Sequence, residues 1–148
     1  MLTHQDHHAA LDDAIRALRE AALRHDDDGV RSETPELQSL LEGLAERRES
    51  AAQAILAAWD DAPQATRTPH PEAVAVKDAF SRVEAAIASD TDAVLAGECL
   101  TLETRAFNAV EAARGHDHPA KLASALDAAR DDIARAMNAL QPFLPEES

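Results

Sequence analysis

The feature that most constrains the fold is a set of apolar stripes in which buried-type side chains recur every three or four residues. The clearest stripe begins at Leu37 and ends at Trp59, in steps of four or three residues. Thr34-Pro35-Glu36 precedes it and supplies a capping hydroxyl, a first-turn proline and an early acid, which is a typical helix start. Asp60-Asp61-Ala62-Pro63 then ends the helix. The stripe predicts a helix that packs lengthwise in a bundle.

The same pattern predicts five helices, four long and one short. They cover about residues 4–26, 34–60, 72–88, 91–114 and 119–140. We expect Asp26-Asp27-Asp28-Gly29 to end the first helix, because aspartate is unfavourable at a helix C-terminus and glycine ends helices easily. Residues 62–71 hold three prolines and predict a loop ahead of the short helix.

The lengths of the connections predict the topology. Brief connections join the first two long helices and the last two, so each pair is expected to form an antiparallel hairpin. About thirty residues, including the short helix 72–88, join the two pairs. One long crossover between two hairpins predicts an all-α, ferritin-like four-helix bundle, as a single domain over 1–148.

Charge and composition argue against several kinds of partner and location. The formal net charge is −14, and both nucleic acid and anionic membrane surfaces are bound through basic faces. We find no apolar run long enough for a signal peptide or a membrane span, so we expect a cytoplasmic protein. The single cysteine, Cys99, lies in an apolar helical context, which favours a packed thiol over a nucleophile.

One charged residue interrupts the apolar stripe of the second helix. Arg48 lies on that stripe, and Glu103 lies near the stripe of the helix 91–114, with Cys99 and Phe107 four residues to either side. We therefore predict a buried Arg48–Glu103 pair with Glu98 nearby, in which a guanidinium neutralises inward carboxylates. The alternative is that the helix is rotated by a fraction of a turn and Arg48 reaches water.

A dinuclear iron or manganese centre is the alternative kind of site. Such a centre needs a glutamate from each of two helices and a Glu-x-x-His from each of the other two. The sequence contains no Glu-x-x-His. The acids that could contribute are Glu46, Glu49, Glu98, Glu103, Asp127 and Asp131.

Histidines near the N-terminus suggest a second, weaker metal site. His4 and His8 are four residues apart, so they share one face of the first helix and could bind a borderline metal together. Exposed histidines that bind nothing are the more ordinary explanation.

One phrase of the sequence resembles a known family. Ala96-Gly97-Glu98-Cys99-Leu100-Thr101-Leu102-Glu103 is similar to a phrase in a bacterial ferritin-like family of unknown function (domain of unknown function 2383). Arg48 resembles that family's arginine in its second helix, and Phe80 stands where the family has a tryptophan in the crossover helix. The resemblance covers most of residues 9–140. It implies the fold and no established activity.

The sequence also departs from that family's pattern. The family's aromatic residue after the second glutamate falls on Val110, and its charged residues beside the glutamate pair are Leu100 and Leu102 here. These changes argue against a site that uses a tyrosine.

Taken together, these features favour a non-enzymatic helical-bundle protein without a cofactor. Its role would be structural, stress-related or partner-binding, as a homodimer or with another protein. Trp59 and Phe143, at a helix end and in the tail, could form the contact surface or belong to the core. The alternative is a carboxylate-bridged di-iron or di-manganese oxidoreductase or metal-binding protein.

Overall fold

The computed structural model describes residues 3–67 and 91–145, and within these ranges every regular element is helical. The predicted all-α fold is confirmed for these residues. The predicted short helix at 72–88 lies outside them. The elements are α1 (Thr3–Arg31), α2 (Pro35–Ala58), the one-turn α3 (Gln64–Arg67), α4 (Thr91–Arg114), α5 (Ala120–Leu140) and a 3₁₀ turn (Gln141–Phe143).

Helix α1 continues beyond the point where the sequence predicts its end. The prediction that Asp26-Asp27-Asp28-Gly29 ends it is wrong, since the helix runs on to Arg31. Asp28 is fully buried and accepts a hydrogen bond from Cys99 of α4, so tertiary packing uses its carboxylate. A basic residue in the last turn, Arg31, also suits the negative end of the helix dipole.

The start of α2 differs from the prediction in its capping. Thr34 is the N-cap residue but makes no side-chain cap bond, because its hydroxyl donates to the Asp92 carboxylate of α4. Asp92 also accepts a hydrogen bond of 2.8 Å from the backbone N–H of Glu33. The α1–α2 turn is therefore attached to the start of α4.

Helix α3 forms within a segment that the sequence predicts as a loop. The Thr66 hydroxyl donates to Asp12 Oδ1 over 2.6 Å, and Arg19 donates to the Thr66 carbonyl over 2.7 Å. Contacts with α1 thus hold this turn in place.

The long helices pack in a ring, with α1 mainly on α2 and α4, and α5 mainly on the same two helices. At one end of the bundle, Asp92 joins the start of α4 to the α1–α2 turn. At the other end, His8 of α1 lies against Trp59 after α2, with ring centroids 5.5 Å apart. The end of α2 and the start of α4 therefore lie at opposite ends of the bundle. No described helix combines the length and hydropathy that crossing a membrane requires.

Buried apolar side chains form two clusters. The larger apolar cluster lies toward the start of α1 and contains Leu11, Ala14, Ile15, Ala17, Leu18, Ala52, Ile55, Leu56, Trp59, Ala106, Val110, Ala113, Leu122, Leu126, Ala129 and Ile133. The smaller apolar cluster contains Leu37, Leu41, Leu44, Cys99, Ala136 and Leu140. Along α2, Arg48 stands between the two.

The two aromatic residues that the sequence left open have different environments. Trp59 is only 3% exposed and belongs to the larger apolar cluster, so it is core. Phe143 is half-buried and packs against the smaller apolar cluster. Of the two alternatives for Trp59, the structure shows the core position.

Candidate functional site

A layer of charged side chains separates the two apolar clusters. All four long helices contribute to it. We call it the charged layer; its members are Arg24, His25, Asp28, Arg48, Glu98, Glu103 and Asp132. Charges at this depth are stable only when partners compensate for the lost hydration, so the contacts of each member decide what the layer can do.

Arg48 lies at the centre of the layer and is fully buried. Its Nε lies 3.1 Å from Glu103 Oε1, and its Nη2 donates to Asp132 Oδ2 over 2.6 Å. The contact with Glu103 is an ion pair without the alignment of a hydrogen bond, and Nη1 has no hydrogen-bond partner among the described residues. One guanidinium thus joins α2 to both α4 and α5.

Glu103 is also fully buried, and each of its oxygens faces a nitrogen. Oε1 faces Arg48, and Oε2 lies 3.1 Å from Nε2 of His25 on α1. Because a carboxylate only accepts hydrogen bonds, Nε2 must carry the proton in this contact. His25 Nδ1 is buried and has no partner among the described residues. Glu103 therefore links three helices.

Glu98 belongs to a separate pair of the same layer. Its Oε1 accepts a hydrogen bond from Nη2 of Arg24, whose side chain is 7% exposed. The structure thus brings Arg48 and Glu103 into contact but places Glu98 against a different arginine. The predicted three-residue cluster is, in the structure, two separate ion pairs.

Asp28 and Cys99 form the edge of the layer that borders the smaller apolar cluster. Cys99 Sγ donates to Asp28 Oδ2 over 3.5 Å, and Arg31 Nη1 lies 3.1 Å from Asp28 Oδ1. Burial raises the pKa of the Asp28 carboxyl, although Arg31 and Cys99 oppose the shift. Burial and the Asp28 charge raise the pKa of the Cys99 thiol well above its usual value. The thiol is therefore protonated at neutral pH and is a poor nucleophile.

The comparisons with known proteins identify no relative. No family model matches the chain, and no match is found among curated proteins or among solved structures. The resemblance to the ferritin-like family stays a prediction. The function has to be argued from the residues of this chain.

The acids of the alternative metal centre are not brought together. Glu46 and Glu49 of α2 are exposed, and so are Asp127 and Asp131 of α5. Arg48 and His25 already face the buried Glu103. Across residues 3–67 and 91–145, no three histidine, cysteine, aspartate or glutamate side chains are grouped as metal ligands. The donor set does not fit a carboxylate-bridged dinuclear centre.

The predicted pair of N-terminal histidines is described only in part. His8 is half-buried against Trp59. The side chain of His4 lies outside the described residues. A metal shared by these two histidines stays a prediction.

Sequence reasoning missed four members of the layer. These four are Arg24, His25, Asp28 and Asp132, of which only Asp28 appears in the sequence prediction, within the run that is expected to end the first helix. One signal was present: the stripe of α1 steps from Leu18 to Ala22 and continues by three residues to His25. Extending that stripe by this one step places His25 inside the bundle.

Proposed function

We propose that the protein is a non-enzymatic helical bundle with a structural or partner-binding role, in which an arginine and a histidine hold the position that metal ions hold in ferritin-like dinuclear proteins. The observation that carries this proposal is the environment of Glu103. Its carboxylate is fully buried and faces Arg48 on one oxygen and His25 on the other.

The charges explain why a cation from solution is disfavoured there. A guanidinium is positively charged at any physiological pH and cannot leave, so it neutralises Glu103 permanently. A divalent ion at the same carboxylate would lie within a few ångströms of Arg48, where like charges repel strongly because the surroundings are of low dielectric. Arg48 therefore acts as a built-in counter-ion.

Two observations support the ferritin-like topology. The end of α2 lies beside the start of α1, whereas the start of α4 lies beside the α1–α2 turn. These two points lie at opposite ends of a bundle whose helix α2, with 24 residues, is roughly 36 Å long. Two hairpins joined by one long crossover fit these positions, and four helices joined only by short loops do not.

The chemistry of the layer also favours a role without catalysis. Cys99 is buried and its pKa is raised, so no thiolate is available. His25 is fully buried and hydrogen-bonded to Glu103, so it is out of reach of a dissolved substrate. Groups that could transfer protons or attack a substrate are thus present in the layer but withdrawn from solvent.

Metal content is the test of this proposal. Untagged protein, purified after growth with added iron and manganese, should carry neither metal at the charged layer by elemental analysis. The Glu103→Gln variant is the matched comparison, because the amide keeps the shape of the side chain and loses its charge. More than one iron or manganese per chain in wild type, lost in Glu103→Gln, would establish the di-metal alternative instead.

A partner-binding role predicts an apolar contact surface. Leu23 and Val30, seven residues apart on α1, are 45% and 74% exposed. We expect light scattering over a concentration series to show self-association that weakens when both are changed to serine. A constant monomer mass at high concentration would remove the homodimer and leave binding to another protein.

A further inference from the structure

Four histidines gather at the end of the bundle where α1 begins. His7 and His8 lie in the second turn of α1, and His116 and His118 lie in the loop between α4 and α5. All four are half-buried. None belongs to the charged layer, so they form a second concentration of titratable groups.

Two ring separations among three of these histidines are close to the spacing of metal ligands. The His7 ring centroid lies 4.5 Å from that of His118 and 6.0 Å from that of His116. A metal–nitrogen bond of about 2.0–2.1 Å puts each ring centroid about 3.2 Å from the ion, so tetrahedral ligands have centroids about 5 Å apart. The two measured separations fall on either side of that value.

A second observation shows which nitrogen of His118 would bind. His118 Nε2 lies 2.6 Å from the carbonyl oxygen of Ala113. A carbonyl only accepts, so Nε2 carries the proton and Nδ1 holds the lone pair. Nδ1 is buried and has no partner among the described residues. A backbone carbonyl that fixes the tautomer in this way is the usual support of a metal-ligating histidine.

We infer that His7, His116 and His118 form a binding site for one borderline divalent cation, of which Zn²⁺ and Ni²⁺ are representatives. Imidazole nitrogens prefer such ions to Mg²⁺ or Ca²⁺, which take oxygen ligands. Within the described part of the chain, no three such side chains are already placed as the ligands of one ion. Binding therefore requires the His7 and His116 rings to turn toward His118 Nδ1. The site would connect the start of α1 to the α4–α5 loop.

The only tryptophan of the protein provides the measurement. The ring centroid of Trp59 lies 5.5 Å from that of His8, and the His8 centroid lies 5.4 Å from that of His7. In the untagged full chain, Ni²⁺ should quench Trp59 fluorescence to saturation at one ion per chain. Zn²⁺ should displace it, and calorimetry should give one Zn²⁺ per chain. Mg²⁺ should have no effect.

Matched glutamine variants locate the site. His118→Gln retains an amide that can donate to the Ala113 carbonyl but loses the lone-pair nitrogen, and it should weaken Zn²⁺ binding by at least about tenfold. His7→Gln, on the first turns of α1, should weaken it similarly and serves if His118→Gln fails to fold. His4→Gln should leave binding unchanged.

Two outcomes would overturn the inference. One is the absence of saturable Zn²⁺ or Ni²⁺ binding below millimolar concentration in wild type. The other is binding that does not depend on the proposed ligands. It would survive both His118→Gln and His7→Gln, or it would be abolished by His4→Gln, and the second result would assign the metal to the His4–His8 pair of one helix.

Discussion

The charged layer and the larger apolar cluster are built on the same four helices, yet different forces hold them together. In the apolar cluster, Leu126 and Ile133 of α5 lose water on burial and gain contacts with no required direction. In the charged layer, Arg48 must meet both Glu103 and Asp132 with its nitrogens in place. We infer that the apolar cluster supplies most of the stability and that the charged layer selects one register of the helices.

The largest expected effect comes from removing the central cation. Arg48→Ala leaves Glu103 buried without its guanidinium, and Asp132 loses its shortest contact. We expect the free energy of unfolding to fall by about 3–5 kcal/mol, and Glu103→Ala to cost a similar amount because it leaves Arg48 with Asp132 alone and His25 without its buried acceptor. Urea denaturation monitored by circular dichroism measures both.

The matched control is an arginine at the surface. Arg114 makes contacts with Asp127 and Glu111 but is exposed, so water replaces them readily. Arg114→Ala should hardly move the denaturation midpoint. If Arg48→Ala and Glu103→Ala each cost less than about 1 kcal/mol, the layer has no role in holding the helices.

Conservative substitutions should have a smaller effect, and one that differs between the larger apolar cluster and the charged layer. Ile133→Val removes one methylene from the larger apolar cluster and should cost about 1 kcal/mol. Arg48→Lys keeps the charge but loses the planar fork that serves Glu103 and Asp132 together, and should cost about 2 kcal/mol. If Arg48→Lys and Ile133→Val lose the same stability in parallel denaturation curves, a positive charge suffices in the layer without the directed contacts of a guanidinium.

Asp28 should give the charged layer a pH dependence that the apolar cluster cannot have. Because burial raises its folded-state pKa above the usual 3.8, the folded protein keeps this proton longer than the unfolded chain as pH rises. Wild type therefore loses stability between pH 3.8 and the raised pKa, and the penalty is constant above it. Asp28→Asn cannot titrate there and should gain on wild type across that window, by at most about 1.4 kcal/mol per pH unit.

Denaturation of both proteins at several pH values from 4 to 7 measures this difference. Asparagine can still accept the hydrogen bond from Cys99. Arg31 keeps its ion pair with Asp27, in which Nη1 lies 3.4 Å from Oδ2, so the comparison isolates the charge of Asp28. A difference in stability that stays constant with pH would show that Asp28 has the same pKa in both states.

The sequence predicted the parts of this structure in which pattern and chemistry agree. Leu37, Leu41 and Ile55 repeat at helical spacing, and all are fully buried in α2. Arg48 could be singled out because it broke an apolar stripe. His25 continues the stripe of α1 by one step, but the aspartates and the glycine that follow it predict a helix end. Asp28 gives no such signal, since an aspartate beside a glycine has the same local chemistry in a helix end as in a buried layer. Only the partners on α4, which are distant in sequence, distinguish the two.

The smallest expected effect tests why the stop signal after His25 failed. Gly29 lies inside α1 with an ordinary helical backbone, since no described glycine has a positive φ. A Cβ at this position would lie 3.5 Å from Leu41 Cβ, an ordinary contact. Gly29→Ala should therefore stabilise the protein by about 0.5–1 kcal/mol, because alanine loses less backbone entropy in a helix.

Gly115, just after α4, is the control for that gain. A Cβ there would lie 3.3 Å from the Ala112 carbonyl oxygen, which is tighter than ordinary contact, so Gly115→Ala should bring no stabilisation. Both variants can be compared by thermal unfolding. A lower melting temperature for Gly29→Ala would mean that α1 ends at this glycine after all. His25 and Asp28 would then lie at a helix terminus, and their contacts with α4 would depend on the conformation of the α1–α2 turn. A higher melting temperature for Gly29→Ala alone would instead support a helix that continues through this glycine. The contacts of the charged layer would then extend α1 through a sequence that favours a helix end.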